Sequence, residues 1–404
     1  MKLLLIHQNF PGQFRHMVGA WLARPGWELK AIGRDTAPGL PELPGLALLR
    51  YKPHRSVGAQ QHHYLRKMED AVLHGQAVAR LLMQLREQGW VPDTILAHPG
   101  WGETLYAKDI FPQARLVHLC EWFYNGQGAD VGFDPEFPAN FDAQARVRTW
   151  NALHLLNLAN ADACFSPTAW QRDQHPAPWR ERIHLAHEGV ALEGLQPDAQ
   201  AQFQVPGGPL LKAGDEVLTY VARNLEPYRG FHIFMRALPE LLRQRPQAQV
   251  LIAGSEGVSY GGKPAHAPTW RAQLQQELQG QLDLSRIHFL GKLPYADYVR
   301  VLQVSRVHTY LSYPFVLSWS MLEAMACGCL VVGSDTPPVR EVLRHGENGL
   351  LTPFFNPQAL AQQLAAALAD PSAYAPLREA ARATVLQHYS LAQGQARIEG
   401  LLRG

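Results

Sequence analysis

The chain contains very little cysteine: four residues in 404, Cys120, Cys164, Cys327 and Cys329. Their spacing matches no zinc-binding pattern, and so few thiols in a long chain argue against a disulfide-stabilised secreted protein. Cys327 and Cys329 are near enough in sequence to chelate a metal, but they stand among small apolar residues, which favours a packing role. The cysteine content therefore predicts a reduced, cytoplasmic setting.

Long apolar runs are also missing. The N-terminal sequence MKLLLIHQNF has only four consecutive apolar residues before His7, fewer than the apolar region of a secretion signal needs. No other stretch approaches the length of a membrane-spanning helix. We therefore expect a cytoplasmic protein, for which peripheral association with a membrane remains open.

Neither sign of charge is in excess. Lys and Arg number 37, Asp and Glu number 35, and the formal net charge is +2. This balance predicts no nucleic-acid partner. No D-x-D motif suited to a divalent metal occurs, so we expect neither a metal nor another cofactor. The first turn reads HQNFPGQF rather than G-x-G-x-x-G, which argues against a dinucleotide-dependent dehydrogenase.

The length and the 47% apolar content suit two domains of ordinary size. Short apolar runs alternate with amphipathic stretches of helical spacing, a pattern typical of parallel sheets covered on both faces. Residues 196–216 interrupt this pattern and are rich in Gln, Pro and Gly, which predicts a linker. We predict an α/β fold with two doubly wound Rossmann-like domains, residues 1–195 and 217–385, and a ligand site in a central cleft that both domains face.

The predicted strands are residues 3–7, 29–33, 46–51, 94–98, 115–120 and 162–166 in the first domain, and 217–222, 249–254, 286–291, 307–312, 329–334 and 349–353 in the second.

One carboxylate stands in an otherwise apolar segment, 311-LSYPFVLSWSMLEAMACGCLVVGS-334. Either Ser318 or Ser320 is suited to cap a helix that begins here. Ser320 and Glu323 also have the S-x-x-E spacing of a capping box, and this spacing alone favours a structural role for Glu323.

The same segment resembles the signature of the retaining glycosyltransferases of family 4, which have the GT-B fold. In that family two glutamates stand eight residues apart, and the second lies in L-E-A-M-A-C-G. The resemblance implies that Glu323 is the second glutamate and binds the ribose hydroxyls of a nucleotide-sugar. Phe315 stands where the first is expected, so contacts to the transferred sugar should differ, and a deoxy or less polar sugar is one interpretation.

Further segments resemble the family in the expected order: 7–29, 183–197, 221–238 and 335–351. The resemblance implies an acceptor-side first domain, a donor-binding second domain, and a C-terminal helix, 386–404, that crosses back to the first domain.

Segment 221-VARNLEPYRGFHIFMRAL-238 resembles the family's phosphate-contact loop. Arg223 and Arg229 are therefore predicted to bind the diphosphate and to stabilise the charge of the leaving group. Arg229 replaces the usual Lys, and the spacing is one residue longer than the commonest form. The glycine-rich loop 254–268 either closes over the donor or is a mobile surface loop.

The other predicted donor contacts are a close backbone approach at Gly12, a helix N-terminus, and backbone groups that meet the base. The full predicted donor set is Gly12, Arg223, Arg229, Gly291, Leu293, Phe315, Ser318, Trp319, Ser320 and Glu323.

On the acceptor side, Glu121 follows the strand 115–120, where many relatives have a His near the reacting carbon. It is the candidate for orienting the acceptor or shaping the anomeric centre, and an ion-paired cleft residue is the alternative. Further acceptor-side candidates are His98, Trp101, Trp122 and Tyr124.

We therefore expect an enzyme, a hexosyl- or deoxyhexosyltransferase that uses a UDP- or GDP-sugar. It would glycosylate a hydroxyl of a glycan, lipid-linked or small-molecule acceptor with retention of configuration. The family context suggests cell-surface polysaccharide or glycolipid synthesis. The alternatives are a nucleotide-sugar-binding GT-B protein that has lost transfer, or another GT-B activity such as epimerisation.

Overall fold

The computed structural model describes all 404 residues and consists of two compact units. The first unit comprises Met1–Gly189 and Leu391–Gly404, and the second comprises Val190–Ser390. The change of unit thus falls between Gly189 and Val190, a few residues before the predicted boundary at 195.

The first unit is built on a seven-stranded parallel sheet with the strand order β3-β2-β1-β4-β5-β6-β7. Its strands are β1 (Lys2–Ile6), β2 (Glu28–Arg34), β3 (Ala47–Tyr51), β4 (Thr94–Ala97), β5 (Arg115–Leu119), β6 (Ala163–Ser166) and β7 (Ile183–Leu185). Its helices are α1 (Arg15–Leu22), α2 (Arg66–Glu87), α3 (Ala107–Ile110), α4 (Phe141–Asn160), α5 (Ala169–Asp173) and α6 (Ala177–Arg180).

Helices cover both faces of this sheet, which is why β1 is a continuous apolar run. Leu3 and Leu5 pack into one core cluster with Trp21 of α1. Leu4 and Ile6, whose side chains point to the opposite face, pack into a second cluster with helix α2. Both faces of the strand are therefore buried, as expected for a parallel sheet.

The second unit has a six-stranded parallel sheet with the order β12-β11-β10-β13-β14-β15, and an antiparallel pair β8-β9. Its strands are β8 (Gln202–Gln204), β9 (Leu210–Lys212), β10 (Val217–Asn224), β11 (Gln249–Ser255), β12 (Ile287–Gly291), β13 (Val307–Tyr310), β14 (Leu330–Ser334) and β15 (Leu350–Thr352). Its helices are α7 (Phe231–Gln244), α8 (Trp270–Glu277), α9 (Tyr295–Val304), α10 (Trp319–Ala326), α11 (Pro337–Arg340), α12 (Pro357–Ala369) and α13 (Ala375–His388).

Both parallel sheets have the strand order of a Rossmann fold, with one additional strand in the first unit. The strand order reverses between β1 and β4 in the first unit and between β10 and β13 in the second. Ligands of such sheets bind beyond the carboxyl ends of the strands at this reversal. The predicted α/β class and all twelve predicted strands are confirmed.

The segment predicted as a linker, 196–216, contains the hairpin β8-β9. Phe203 and Leu211 pack with Val301 and Val304 of α9 in a small core cluster. The segment is therefore folded against the second unit and does not form an extended connection. Its many polar residues lie on the outer side of a hairpin with strands of only three residues, too short for a recognisable alternation.

The C-terminal helix α14 (Leu391–Arg403) belongs to the first unit. Glu399 is buried there and accepts hydrogen bonds from Trp21 Nε1 at 3.0 Å and from Arg24 Nε at 3.1 Å. Ile398 and Leu402 join the core cluster that includes α1. No helix in the structure is both long enough and apolar enough to cross a bilayer.

Replacing Glu399 by alanine should lower the stability of the first unit by about 2 kcal/mol, because the buried Trp21 N–H and the Arg24 guanidinium lose their acceptor. Urea unfolding monitored by tryptophan fluorescence measures this change. The control Glu347→Ala removes an exposed carboxylate beside Arg344 and should cost less than about 0.5 kcal/mol. Similar losses in the two variants would contradict the assigned role of α14.

Candidate functional site

Three polar side chains meet at the strand reversal of the first unit. His7, His98 and Glu121 follow the adjacent strands β1, β4 and β5 by one or two residues. Because parallel strands end at the same edge of a sheet, these side chains are brought together. The rings of His7 and His98 have centroids 5.2 Å apart, and His98 Nε2 lies 3.0 Å from Glu121 Oε2.

The neighbours of His98 indicate which ring nitrogen is the donor. Its Nδ1 accepts a hydrogen bond from the backbone N–H of Gly100 at 3.2 Å. The ring proton must then be on Nε2, which donates to Glu121. His98 thus holds Glu121 by a hydrogen bond from Nε2, a contact that fits both the acceptor-orienting role of Glu121 and the ion-paired alternative.

A second chain of hydrogen bonds reaches Glu121 from His7. The Asn9 N–H donates to His7 Nδ1 at 3.0 Å, so His7 Nε2 donates to Gln13 Oε1 at 2.7 Å. The Gln13 amide in turn donates from Nε2 to Glu121 Oε1 at 2.7 Å. Each oxygen of Glu121 therefore has one fixed donor. We call His7, Gln13, His98 and Glu121 the carboxylate cluster.

Glu121 remains ionised in this setting. Burial alone would raise its pKa, but the hydrogen bond and the charge interaction with His98, together with the hydrogen bond from Gln13, outweigh burial and hold the pKa below its ordinary value. The Glu121 side chain is 32% exposed, so a hydroxyl group can reach it. Each carboxylate oxygen has a lone pair beyond its fixed donor, and the cluster can accept a hydrogen bond from a bound alcohol.

Gly12 supports this cluster in a way that the sequence did not indicate. Its φ is +49°, and a Cβ at this position would lie 2.2 Å from His7 Nε2. The missing side chain therefore leaves room for the His7 ring. This packing requirement gives a structural reason for the glycine, and the close approach of its backbone to a ligand stays a prediction.

The predicted acceptor-side residues divide into two groups. Trp101 stacks on the His98 ring, with centroids 4.4 Å apart, and so borders the carboxylate cluster. Trp122 is buried, and Tyr124 stacks on Trp150 of α4 at 4.1 Å. His98 and Trp101 therefore lie with Glu121, whereas Trp122 and Tyr124 take part in packing elsewhere in the unit.

In the second unit the guanidinium of Arg229 is buried, with 9% of the residue exposed. Its Nη1 donates to Ser312 Oγ at 2.8 Å and to the carbonyl of Val316 at 2.9 Å. Burial alone would lower its pKa, but the phenol groups of Tyr310 and Tyr260 raise it, so Arg229 stays charged. No carboxylate lies within salt-bridge distance. A buried cation without a counter-charge is costly, and such a site favours an anion.

Arg223 differs from Arg229. It is exposed near the carboxyl end of β10, and its side chain forms no ion pair within the unit. The two predicted phosphate-binding arginines therefore differ: hydrogen bonds fix Arg229 within the structure, whereas Arg223 is exposed at the surface.

Helix α10 begins at Trp319, and Ser318 is its N-cap, with a side chain that accepts from the Ser320 N–H at 3.4 Å. Glu323 consequently lies beyond the first turn. The capping-box interpretation is wrong, because Ser320 is inside the helix and the Glu323 carboxylate binds other partners.

Those partners are two tyrosines of α9. Tyr295 and Tyr298 donate from their hydroxyls to Glu323 Oε1 at 3.1 Å and Oε2 at 2.7 Å. Burial raises the pKa of Glu323, and the two hydrogen bonds oppose that shift. Gly291, exposed with a φ of +63°, and the half-buried Leu293 lie just before α9. The loop predicted to meet the base therefore leads directly into the helix that holds Glu323.

Phe315 is buried in an aromatic cluster near Arg229. Its ring contacts those of Tyr228 and Tyr260, with centroids 5.6 and 4.9 Å away. The half-buried Trp319 packs into the neighbouring core. Aromatic rings thus surround Phe315, the residue that stands in place of the first family glutamate.

Sequence reasoning missed four residues of these sites: His7, Gln13, Tyr295 and Tyr298. His7 had a signal, because it follows its strand just as His98 follows the adjacent one. Tyr295 and Tyr298 are three residues apart at the start of a helix, which puts them on one face. No sequence pattern indicated Gln13, because only the fold brings it close to Glu121.

Two family models together cover most of the chain. Residues 25–195 match a model described as glycosyl transferase family 4 group, and residues 207–384 match one described as glycosyl transferases group 1.

Curated relatives have related names. A D-inositol 3-phosphate glycosyltransferase from Jonesia denitrificans is 30% identical over 320 residues, which covers 75% of this chain and 68% of the relative. A phosphatidyl-myo-inositol mannosyltransferase from Mycobacterium leprae is 32% identical over 215 residues. That second alignment covers 47% of this chain and 51% of the relative, about half the length of each.

Solved structures show the same fold. Sucrose-phosphate synthase from Thermosynechococcus elongatus superimposes with a TM-score of 0.74 at 20% identity, over 100% of this chain and 98% of that one. HepE from Anabaena, in complex with UDP-glucose, superimposes with a TM-score of 0.68 at 18% identity, over 100% of this chain and 99% of that one. With both family models matched in order and this architecture in both units, the chain belongs to family 4 of the glycosyltransferases and has the GT-B fold.

Proposed function

We propose that this chain transfers a hexosyl or deoxyhexosyl group from a nucleotide-sugar, a UDP- or GDP-sugar, to an acceptor hydroxyl with retention of configuration. The observation that carries the proposal is the buried, charged guanidinium of Arg229, which has no carboxylate partner. The diphosphate of a nucleotide-sugar would supply the missing negative charge.

The remaining donors of Arg229 suit this task. The hydrogen bonds to Ser312 and Val316 both use Nη1. The other edge of the guanidinium, formed by Nε and Nη2, would therefore bind the diphosphate. Two parallel N–H donors match two phosphate oxygens. The N-terminus of α10 adds backbone N–H groups and a favourable dipole. Fixed cations and backbone groups would stabilise the leaving diphosphate, and we therefore propose transfer without a metal.

Glu323 is proposed to bind the ribose. Each of its oxygens already has one tyrosine hydroxyl as donor, and each keeps a lone pair for a ribose hydroxyl. The tyrosines hold the carboxylate plane in place, so that both vicinal hydroxyls of the ribose would be bound at little cost in side-chain entropy.

Glu121 is proposed to orient the acceptor. Its ionised carboxylate would accept a hydrogen bond from the acceptor hydroxyl, while His98 and Gln13 fix its direction. In a retaining reaction of this family the leaving phosphate helps to take the proton of the acceptor. Glu121 would then align the nucleophile, and orientation of this kind accounts for a large part of many enzymatic rate enhancements.

For the acceptor, we propose a polyol, free or lipid-linked, or a glycan, in cell-surface polysaccharide or glycolipid synthesis. The relatives' names, which refer to inositol phosphate and phosphatidyl-inositol, support testing polyols first. The aromatic surroundings of Phe315 support a transferred sugar with fewer hydroxyls on the face that meets these rings.

A second candidate is a nucleotide-sugar-binding protein without transfer activity, and the replacement of a family glutamate by Phe315 favours it. Release of nucleoside diphosphate on addition of an acceptor separates the two. The wild type should release it, and Glu121→Gln should do so about 10²- to 10³-fold more slowly because the acceptor loses its anionic partner.

The control for that assay is Glu42→Gln, which removes an exposed carboxylate of the first unit and should leave turnover unchanged. Tight binding of nucleotide-sugar with no release for any polyol or glycan acceptor would favour the non-transferring protein.

Replacing Arg229 by methionine should abolish nucleotide binding, because the anion loses its buried counter-charge. UDP or GDP at 100 times its dissociation constant should stabilise the wild type by about 2.7 kcal/mol, and this gain should vanish in the variant. Thermal-shift measurement checks it. Arg344→Met, at an exposed arginine of the same unit, should keep the full gain. An undiminished shift in Arg229→Met would remove this residue from the donor site.

Nucleotide affinity should also fall on acidification. The pKa of Glu323 is raised by burial, so this acid takes up its proton at a higher pH than an ordinary glutamate and then loses acceptor capacity. Tyr298→Phe removes a donor that favours the ionised form and should move the fall in affinity to higher pH. Glu323→Gln should bind the nucleotide weakly at neutral pH, and its affinity should not fall further on acidification. Titration calorimetry across the pH range measures the affinity of the wild type and of both variants. If the affinity of Glu323→Gln still falls on acidification, the pH dependence must come from another group.

A further inference from the structure

Glu226 lies in the segment that carries Arg229, and its carboxylate is almost completely buried, with 1% of the residue exposed. It has no cationic side chain as partner. Three successive backbone N–H groups of the glycine-rich loop bind it: Ser259 N donates to Oε1 at 3.0 Å, and Tyr260 N and Gly261 N donate to Oε2 at 3.1 and 3.0 Å.

This arrangement is specific. Consecutive backbone N–H groups that converge on one point form an anion-binding concavity, and here a side chain of the protein fills it. Gly261 sits tightly in the loop, because a Cβ there would lie 3.3 Å from the Tyr228 ring and 3.5 Å from Glu226 Oε2. The loop is therefore clamped at 259–261 by these three hydrogen bonds.

The clamp determines where Tyr260 lies. The Tyr260 ring centroid is 5.6 Å from the guanidinium carbon of Arg229 and 4.9 Å from the centroid of Phe315. The aromatic ring lies beside the buried cation, and such contacts are attractive. The Glu226 backbone carbonyl also accepts from the Arg229 N–H at 3.1 Å. One short segment thus presents the guanidinium and holds the loop beside it.

We propose that Glu226 is a positioning residue for the anion site: it holds the loop at 259–261 so that Tyr260 and the bonds to Ser312 and Val316 together fix the Arg229 guanidinium. A guanidinium held from two sides loses less conformational freedom when a diphosphate binds to its remaining edge. This inference rests on the proposed function, since it assumes that a diphosphate occupies this site. It adds a residue that does not touch the nucleotide-sugar but sets the affinity for it.

The test compares Glu226→Gln with Glu256→Gln. A glutamine keeps the size of Glu226 but places an amide donor against at least one of the three N–H groups, which releases the loop. Glu256 is a matched control on the same loop, where its half-exposed carboxylate pairs with Arg271. Amide hydrogen exchange at 259–261 should accelerate at least 10-fold in Glu226→Gln and stay unchanged in Glu256→Gln.

Binding of inorganic pyrophosphate, measured by calorimetry, is the second readout. Its dissociation constant should rise about 10-fold in Glu226→Gln and remain at the wild-type value in Glu256→Gln. Faster exchange with unchanged pyrophosphate affinity, or unchanged exchange, would overturn the proposal.

Tyr260→Ala serves as an independent variant if Glu226→Gln does not fold. It keeps the backbone N–H groups, so exchange at 259–261 should stay slow while pyrophosphate binding weakens; unchanged binding would overturn the role given to Tyr260. If the wild type itself does not bind pyrophosphate, the proposed function fails at Arg229. If the wild type binds it and the variants bind equally well, only the role of Glu226 is lost.

Discussion

The guanidinium of Arg229 is buried in the second unit among phenol rings, a hydroxyl and a carbonyl, with no carboxylate to balance its charge. Folding removes most of the hydration of this group and returns only neutral hydrogen-bond acceptors, so the arrangement is unfavourable unless an anion completes it. Contacts with the surrounding structure nevertheless hold Arg229 in this position. The Arg229 carbonyl accepts from the Tyr220 hydroxyl at 2.7 Å, and the guanidinium fixes the turn that precedes α10. This uncompensated charge is the basis of our proposal that the site binds an anionic ligand.

The carboxylate cluster of the first unit follows a different principle. Here the charged group is an acid, Glu121, and its partners are the His98 ring and the Gln13 amide. A backbone N–H fixes the His98 ring, and His7, itself fixed by a backbone N–H, holds the amide. The hydrogen bonds from His98 and Gln13 and the charge interactions with His98 and His7 hold the pKa of this acid below its ordinary value, so that it stays available to a hydroxyl. Under the proposed function, the second unit would provide the environment for a diphosphate and the first unit the environment for an alcohol.

Sequence reasoning succeeded where burial is uniform along the chain. The strands of both sheets are covered on two faces, so each appears as a continuous apolar run. It failed where contacts join distant positions or where elements are very short. The hairpin at 202–212 has strands of three residues and was predicted as part of a linker. The bond between Gln13 and Glu121 spans 108 positions, and no local pattern encodes it. Glu323 was identified from its motif, but its partners on α9 come from another helix.

A structure determined with a nucleoside diphosphate bound would test the central claim most directly, namely that the buried guanidinium exists to receive a diphosphate. The account predicts phosphate oxygens within about 3.2 Å of the Arg229 Nε or Nη2 and ribose hydroxyls on the Glu323 carboxylate. A nucleotide bound elsewhere, with Arg229 still lacking an anionic partner, would contradict it.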